Sequence, residues 1–209
     1  MRNLPSSYNK RRKRRIGCIG KLISFVISIF IFICLGNYLL LESGLKEQIM
    51  KTQYPLKYQE FVQEYATMYS LEEPLVYSLI RTESKFDPYA VSRTDARGLM
   101  QVQSETALDC AKELKIQNFS TDALFDPKLN IQIGCYYFSK LLKRYHGNCN
   151  LAIAAYNGGP GNVEKWLKEN EYTDDYGNLV HIPFPETRNY VKRVAQTYEI
   201  YCKLYPTMK

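Results

Sequence analysis

One glutamate in the segment from Pro74 to Phe86 is placed where a charged side chain is costly. Pro74 is a good helix opener and Pro88 a stop, so about three helical turns fit between them. Leu75, Val76, Leu79 and Ile80 recur at i, i+1, i+4 and i+5, the spacing of one helix face turned to a core. Glu83 continues that stripe, four positions after Leu79 and three after Ile80. A carboxylate there points toward an interior or a cleft wall, where its ionised form is expensive without a partner. Such a group raises its pKa or acquires a donor, and either outcome prepares a general acid. Its position in the last turn, at the negative end of the helix dipole, pushes the same way. Periodicity alone is equally compatible with a structural ion pair or with exposure at a frayed helix end. Asp87 and Asp95 are the nearby candidates for a second carboxylate. Asp87 precedes Pro88 and reads as a residue ending or capping a local turn, and Asp95 occupies a turn. With only His146 and His181, no HExxH and no CxxC, neither a metal site nor a cofactor is expected.

The elements that must hold these residues are mostly helical. Helix patterns run from Tyr58 to Tyr69, Pro74 to Phe86, Glu105 to Leu114, Leu151 to Tyr156, Asn162 to Glu169 and Glu186 to Tyr205. Asp126-Pro127 has the form of an N-cap followed by proline at the first helical position, opening a helix to about Tyr145. Only Tyr172–Phe184, with Tyr176-Gly177-Asn178 inside it, reads as extended or hairpin-like. The expected fold class is mainly α, and residues 57–209 suit one domain with one core.

Four further motifs bear on chemistry. In chain order they are E-S-x-F-D-P-x-A-x-S from Glu83 to Ser92, A-x-G-L-M-Q from Ala96 to Gln101, A-Y-N-x-G-P-G-x-V from Ala155 to Val163, and E-T-R-x-Y-V from Glu186 to Val191. Together with Asp126-Pro127, Asn130 and Gly134, they strongly resemble the soluble-lytic-transglycosylase family of peptidoglycan-cleaving enzymes, over about Leu71 to Val194. The resemblance implies a lysozyme-like, mainly helical fold with a cleft for a glycan strand and Glu83 as the single catalytic acid/base. By motif position Ser92 and Gln101 would line the cleft, and Tyr156 with Asn157 would stand close to the catalytic carboxylate. Three positions depart from the family pattern. Asp95 stands where glycine is usual, and aspartate tolerates left-handed backbone better than most residues. Ser104 replaces a usual proline at a helix start, where it can cap. Gly158 replaces a usual alanine, which is expected to loosen its loop.

Ordinary glycosidases use two carboxylates, about 5–5.5 Å apart when retaining and about 6.5–9.5 Å apart when inverting. The motifs supply one, so the resemblance implies that the substrate supplies the other nucleophile. The N-acetyl group of N-acetylmuramic acid would assist departure, and the C6 hydroxyl would close on C1 to give a 1,6-anhydro sugar without consuming water. A hydrolytic muramidase on the same fold and a catalytically silent glycan-binding or assembly protein are the alternatives. Tyr136, Tyr137, Tyr145 and Tyr156 are candidates for sugar-stacking surfaces, although such rings more often serve packing.

The N-terminal part is of a different kind. Of 28 Lys+Arg in the 209-residue chain, eight lie in residues 1–21, which hold no acid, leaving 20 basic against 21 acidic side chains in the rest. The sequence pI near 9.0 therefore describes a tail, and a nucleic-acid partner is not expected. With 45% hydrophobic and 23% charged residues, the chain is neither disordered nor collagenous. Residues 22–41 carry no charge and are long enough to span a bilayer, about 30 Å of helix. The run lacks a small-residue cleavage pattern, and Cys34 follows the bulky Ile33, so an uncleaved anchor is expected rather than a signal peptide or a lipoprotein site. The basic flank predicts a cytoplasmic N-terminus, a single span, a juxtamembrane stretch at 42–56 and a catalytic domain outside the membrane, facing the wall. On that topology Cys110, Cys135, Cys149 and Cys202 are exported, and two disulfides are possible in any of three connectivities. Partners in envelope assembly are not identified by the sequence.

Overall fold

The computed structural model describes residues 6–42 and 44–208. The chain forms two compact units, the first ending at Gln53 and the second beginning at Tyr54. In the first, α1 (Ser6–Glu42) is followed by α2 (Leu45–Gln53). Within α1 the run Ile23–Leu40 has a mean hydropathy of 2.3 and no buried residue, and is long and apolar enough to cross a membrane. The basic segment and the apolar run thus share one continuous helix. The polar stretch expected at 42–56 contains α2, which carries an i,i+4 ion pair from Lys51 to Glu47 at 2.6 Å.

The second unit is built from α3 (Gln59–Tyr69), α4 (Glu73–Ser84), α5 (Ser104–Glu113), α6 (Pro127–Arg144), α7 (Cys149–Gly158), α8 (Pro160–Trp166) and α9 (Pro185–Leu204). A 3-10 turn covers Thr121–Phe125, and β1 (Ala96–Arg97) pairs antiparallel with β2 (Val102–Gln103), Ala96 opposite Gln103. Asp126 caps α6 as its sequence implies, Oδ1 accepting from Leu129 N at 2.8 Å, and Asn148 caps α7 through Leu151 N at 3.1 Å. The stretch from Tyr172 to Phe184 is extended around an isolated bridge, Thr173 to Leu179, whose turn is held by Asp174. The mainly α reading holds, and the short β1–β2 ladder is an addition to it.

Helix α4 lies at the centre of the core. Every residue from Pro74 to Ile80 is buried, so the helix is enclosed on all sides over that span rather than along one stripe. Ser78 satisfies its buried hydroxyl by donating to Pro74 O at 2.5 Å. α9 is the main partner of α4, and α3 packs against both α6 and α4. Phe138, Ile131 and Ile133 of α6, Val163 and Trp166 of α8, and Tyr190, Val194 and Tyr201 of α9 complete the apolar interior. Cys110, Cys135, Cys149 and Cys202, which the sequence allows to pair, are all free thiols. Cys110 and Cys135 are packed in the core as small apolar residues, and burial pushes the Cys110 thiol up to about 11.

Helix α4 ends earlier than its sequence predicts, at Ser84 rather than Phe86. Lys85 and Phe86 both take left-handed backbone, φ 53° and φ 68°, and the Lys85 N–H bonds Arg81 O to close the last turn. The chain therefore leaves the helix two residues after Glu83 and turns into the segment that forms one wall of the cleft.

Candidate active site

Glu83 sits in the last turn of α4 on the wall of a cleft of about 700 Å³. Part of the residue remains open to the cleft while its carboxyl group is largely surrounded by protein. Burial is the dominant influence and raises the carboxyl to about 7; the Tyr190 hydroxyl and the charge of Arg193 pull in the opposite direction. Tyr190 Oη donates to Glu83 Oε1 at 2.6 Å, from a ring that α9 holds almost wholly inside the core. Burial, with the nearby Glu83 charge, keeps both Tyr190 and Tyr156 well above the ordinary phenol range, so both remain donors. Glu83 is thus a carboxyl group raised to about 7 and held in place by a fixed donor.

The loop from Ala96 to Gln101 gives the cleft its Ala96 and Gln101 lining, and its shape follows from a few residues. Gly98 takes φ 74°, and a Cβ there would collide with the Asn130 side chain and the Leu124 carbonyl, so only glycine fits. Asn130, fully buried on α6, uses both ends of its amide: Oδ1 accepts from Met100 N at 2.8 Å, and Nδ2 donates to Arg97 O at 2.9 Å and Leu124 O at 2.8 Å. Ser84 Oγ donates to Leu99 O at 2.7 Å, tying the residue after Glu83 to the same loop. Tyr156 Oη donates to Met100 O at 2.7 Å. Gln101, itself left-handed at φ 47°, returns its amide to Ala90 O at 2.9 Å and Gly98 O at 3.0 Å. These bonds fix the loop on three sides, as positioning an acid against a substrate requires.

The structure brings all five residues singled out in the sequence to this one cleft: Glu83, Ser92, Gln101, Tyr156 and Asn157 line it. Ser92 Oγ accepts from Ala96 N at 3.0 Å and Thr94 N at 3.2 Å, which shapes the turn beneath it. The Tyr156 ring faces Tyr137, centroids 5.5 Å apart, and both line the cleft. Tyr136 and Tyr145 do not line it. The Tyr136 hydroxyl donates to Glu113 at 2.7 Å and that of Tyr145 to Pro160 O at 3.2 Å, so these two serve packing.

The two spare aspartates are also outside the lining. Asp87 Oδ1 accepts from Tyr89 N at 2.9 Å, closing a turn. Asp95 keeps the turn intact in left-handed backbone, φ 62°, and binds both Ser104 Oγ at 2.8 Å and Arg97 Nε at 3.0 Å. The Ser104 hydroxyl and then the Arg97 guanidinium hold its carboxyl below the usual range. Ser104 does not cap its own helix: it is the first helical residue, Gln103 holds the N-cap position with no side-chain cap bond, and the Ser104 hydroxyl donates to Asp95. Two of the three departures from the family pattern are partners of each other. The third, Gly158, does not loosen a loop: it ends α7 in close contact with Thr187 and Trp166, where a Cβ would stand 2.9 Å from Thr187 Oγ1.

Sequence reasoning did not single out Tyr190, Thr187 or Glu186. Glu186 is exposed in the first turn of α9, and its side chain is the second carboxylate on the cleft wall. The signal for all three was present in the E-T-R-x-Y-V motif, which was read as a mark of family rather than as a set of side chains.

Comparison with known proteins agrees with this geometry. Residues 60–178 match the transglycosylase SLT domain family. The chain is 33% identical over 158 residues to the soluble lytic murein transglycosylase of Escherichia coli K12, covering 75% of this chain and 24% of that protein. It is 43% identical over 116 residues to the membrane-bound lytic murein transglycosylase C of Yersinia pestis, covering 51% of this chain and 32% of the relative. Among solved structures, an inactive mutant of the lytic transglycosylase Slt from Pseudomonas aeruginosa superposes with a TM-score of 0.69 at 32% identity, over 77% of this chain and 26% of that one. The chain thus spans about a quarter to a third of the length of the relatives it matches. With the family match covering more than half of its residues, the chain belongs to the transglycosylase SLT domain family.

Proposed function

We propose that the second unit is a peptidoglycan lytic transglycosylase that cleaves the β-1,4 bond from N-acetylmuramic acid to N-acetylglucosamine and leaves 1,6-anhydromuramic ends. Glu83 is the acid and then the base. Its carboxyl proton passes to the glycosidic oxygen as the C1–O bond breaks, and the N-acetyl carbonyl oxygen of the muramic residue supports C1. The C6 hydroxyl oxygen then bonds to C1 while its proton returns to the Glu83 carboxylate, so atoms balance without water. Ser92, Gln101, Tyr156 and Asn157 are the residues proposed to meet the glycan. The observation that carries the reading is a carboxyl raised to about 7 by burial and hydrogen-bonded at 2.6 Å by Tyr190, in a chain whose relatives are named lytic murein transglycosylases.

Glu186 favours one competing reading, a hydrolytic muramidase, because a second carboxylate on the cleft wall is what a water-activating base needs. We propose further that α1 is a permanent single span with a cytoplasmic N-terminus, placing the catalytic unit outside the membrane toward the wall, where it remodels peptidoglycan. The membrane-bound name of one relative supports attachment to a membrane. The test is release of soluble muropeptides from purified peptidoglycan by the full chain in detergent. Wild type is expected to release them and a folded Glu83→Gln variant to release almost none. Undiminished release by the variant would remove Glu83 from the mechanism, and binding without release by wild type would favour a silent glycan-binding protein.

A further inference from the structure

Gly158 and Thr187 meet on the cleft lining, one from the end of α7 and the other from the first turn of α9. The backbone does not call for glycine at 158, which lies within α7 and is not among the positions of positive φ. What its missing side chain leaves is space on Thr187. A Cβ at 158 would stand 2.9 Å from Thr187 Oγ1 and 3.2 Å from its Cγ2, too close for the threonine to stay where it is.

The hydroxyl that this space uncovers has no partner in the protein. Thr187 is only 2% exposed, yet its Oγ1 makes no hydrogen bond among the described residues, and burying a hydroxyl in that state is costly. The unpartnered hydroxyls of Tyr69 and Tyr77 are fully enclosed, whereas Thr187 lines the cleft. The backbone beside it adds donors of the same kind. Pro185 opens α9 without an N–H, the helix has no side-chain cap, and the N–H groups of Glu186 and Thr187 take no backbone partner among the described residues. The first bond of the helix runs from Arg188 N to Phe184 O, at 2.9 Å. The turn thus offers donors to the cleft and lacks an acceptor. The exposed carboxylate of Glu186 on the same turn would repel an anion, so the missing acceptor is neutral. Phe184, just before the helix, is 45% exposed on the lining, its ring edge-on to Trp166 with centroids 5.0 Å apart. Donors next to an apolar ring suit an amide, its carbonyl oxygen on the donors and its methyl group on the ring.

We propose that Thr187 is a specificity-determining residue of the cleft: its hydroxyl donates to an amide carbonyl oxygen of the bound strand, and Gly158 keeps the way to that hydroxyl open. The inference rests on the reading of the cleft as a peptidoglycan site. A peptidoglycan strand carries such an amide in two places, the acetamido group on each sugar and the first peptide bond of the stem. Both end in a carbonyl oxygen with a methyl group nearby. The hydroxyl loses little in donating to either, because it gives up no bond within the protein. Discrimination follows from the same fact: a sugar without the amide leaves the buried hydroxyl unpaired.

The experiment measures Kd by calorimetry for full chains in detergent, all carrying Glu83→Gln so that the probe is not consumed. The probes are a tetrasaccharide of alternating N-acetylglucosamine and N-acetylmuramic acid with its stem peptides, and the same tetrasaccharide after an amidase has removed them. Thr187→Val, which keeps the shape and removes the hydroxyl, is expected to weaken binding about fivefold. Thr187→Ser should stay close to the parent. Gly158→Ala, which covers the hydroxyl without removing it, should weaken binding by a similar factor. The unfolding midpoint of Thr187→Val should be unchanged or raised, since the lost hydroxyl had no partner to lose; a hydroxyl with a structural role would lower it. Weakening with both probes assigns the acetamido carbonyl, and weakening with the peptide-bearing probe alone assigns the stem amide. Undiminished affinity for both probes in Thr187→Val or in Gly158→Ala would overturn the proposal, as would a loss that Thr187→Ser fails to restore. If the parent chain binds neither probe, the reading of the cleft as a peptidoglycan site fails and the proposal falls with it.

Discussion

Tyr190 Oη stands 2.6 Å from Glu83 Oε1, joining two residues 107 positions apart across the contact between α9 and α4. This bond fixes the carboxyl group in direction and partly offsets the cost of its burial. The ring of Tyr190 lies in the core and is not part of the cleft lining, so its contribution passes through Glu83.

Tyr190→Phe keeps the ring and removes the donor. The Glu83 pKa is expected to rise further, moving the high-pH limb of activity to higher pH, because the lost hydrogen bond favoured the charged form. The kcat at the optimum should fall by about tenfold as the carboxyl loses its orientation, with little change in KM. Rate profiles from pH 5 to 9 check both effects.

Glu83→Gln should be more stable than wild type, and the difference should depend on pH. Below the ordinary value of 4.5 the glutamate is neutral in both folded and unfolded chains and burial exacts no ionisation cost. As pH rises from 4.5 to about 7, the unfolded chain ionises while the folded one resists, so wild type loses stability across that window and no further above it. The advantage of the variant should reach at most about 3 kcal/mol above pH 7 and nearly vanish at pH 4. Denaturant unfolding at the two pH values measures it.

Asn130→Ala removes three hydrogen bonds from one buried amide, two of them to the Ala96–Gln101 loop. A loss of about 2–4 kcal/mol is expected. Gly98→Ala should cost a similar amount, about 2–4 kcal/mol, through its positive φ and the collision with Asn130. Since one contact is shared, the double variant should lose less than the sum of the two, as a double-mutant cycle of unfolding free energies would record.

The catalytic candidate was legible in the sequence because Glu83 interrupts an apolar stripe, and a misplaced charge stands out against a periodic pattern. Tyr190 was not, because it lies among the buried positions of α9 with Thr187, Val194 and Tyr201, where a tyrosine reads as core. Its hydroxyl alone is functional, and periodicity does not distinguish a ring from its tip. The helix end at Ser84 was missed because its left-handed cap uses Lys85 and Phe86, where a glycine would have announced it. The Asp95–Ser104 bond spans nine positions of loop and strand, and neither residue alone signals the other. The β1–β2 ladder, two residues on each side, is too short to carry an alternating pattern. Helix order and composition, by contrast, were readable because caps such as Asp126 and openers such as Pro74 mark local chemistry.

The most direct measurement is the mass of the glycan ends released from purified peptidoglycan by the full chain in heavy-oxygen water. If Glu83 is the only carboxyl group acting in the cleft, the ends are 1,6-anhydromuramic acid, about one water lighter than hydrolytic ends, and carry no heavy oxygen. Glu186→Gln should leave that product unchanged. Reducing ends labelled with heavy oxygen, lost on changing Glu186, would contradict the account and assign the cleft to hydrolysis.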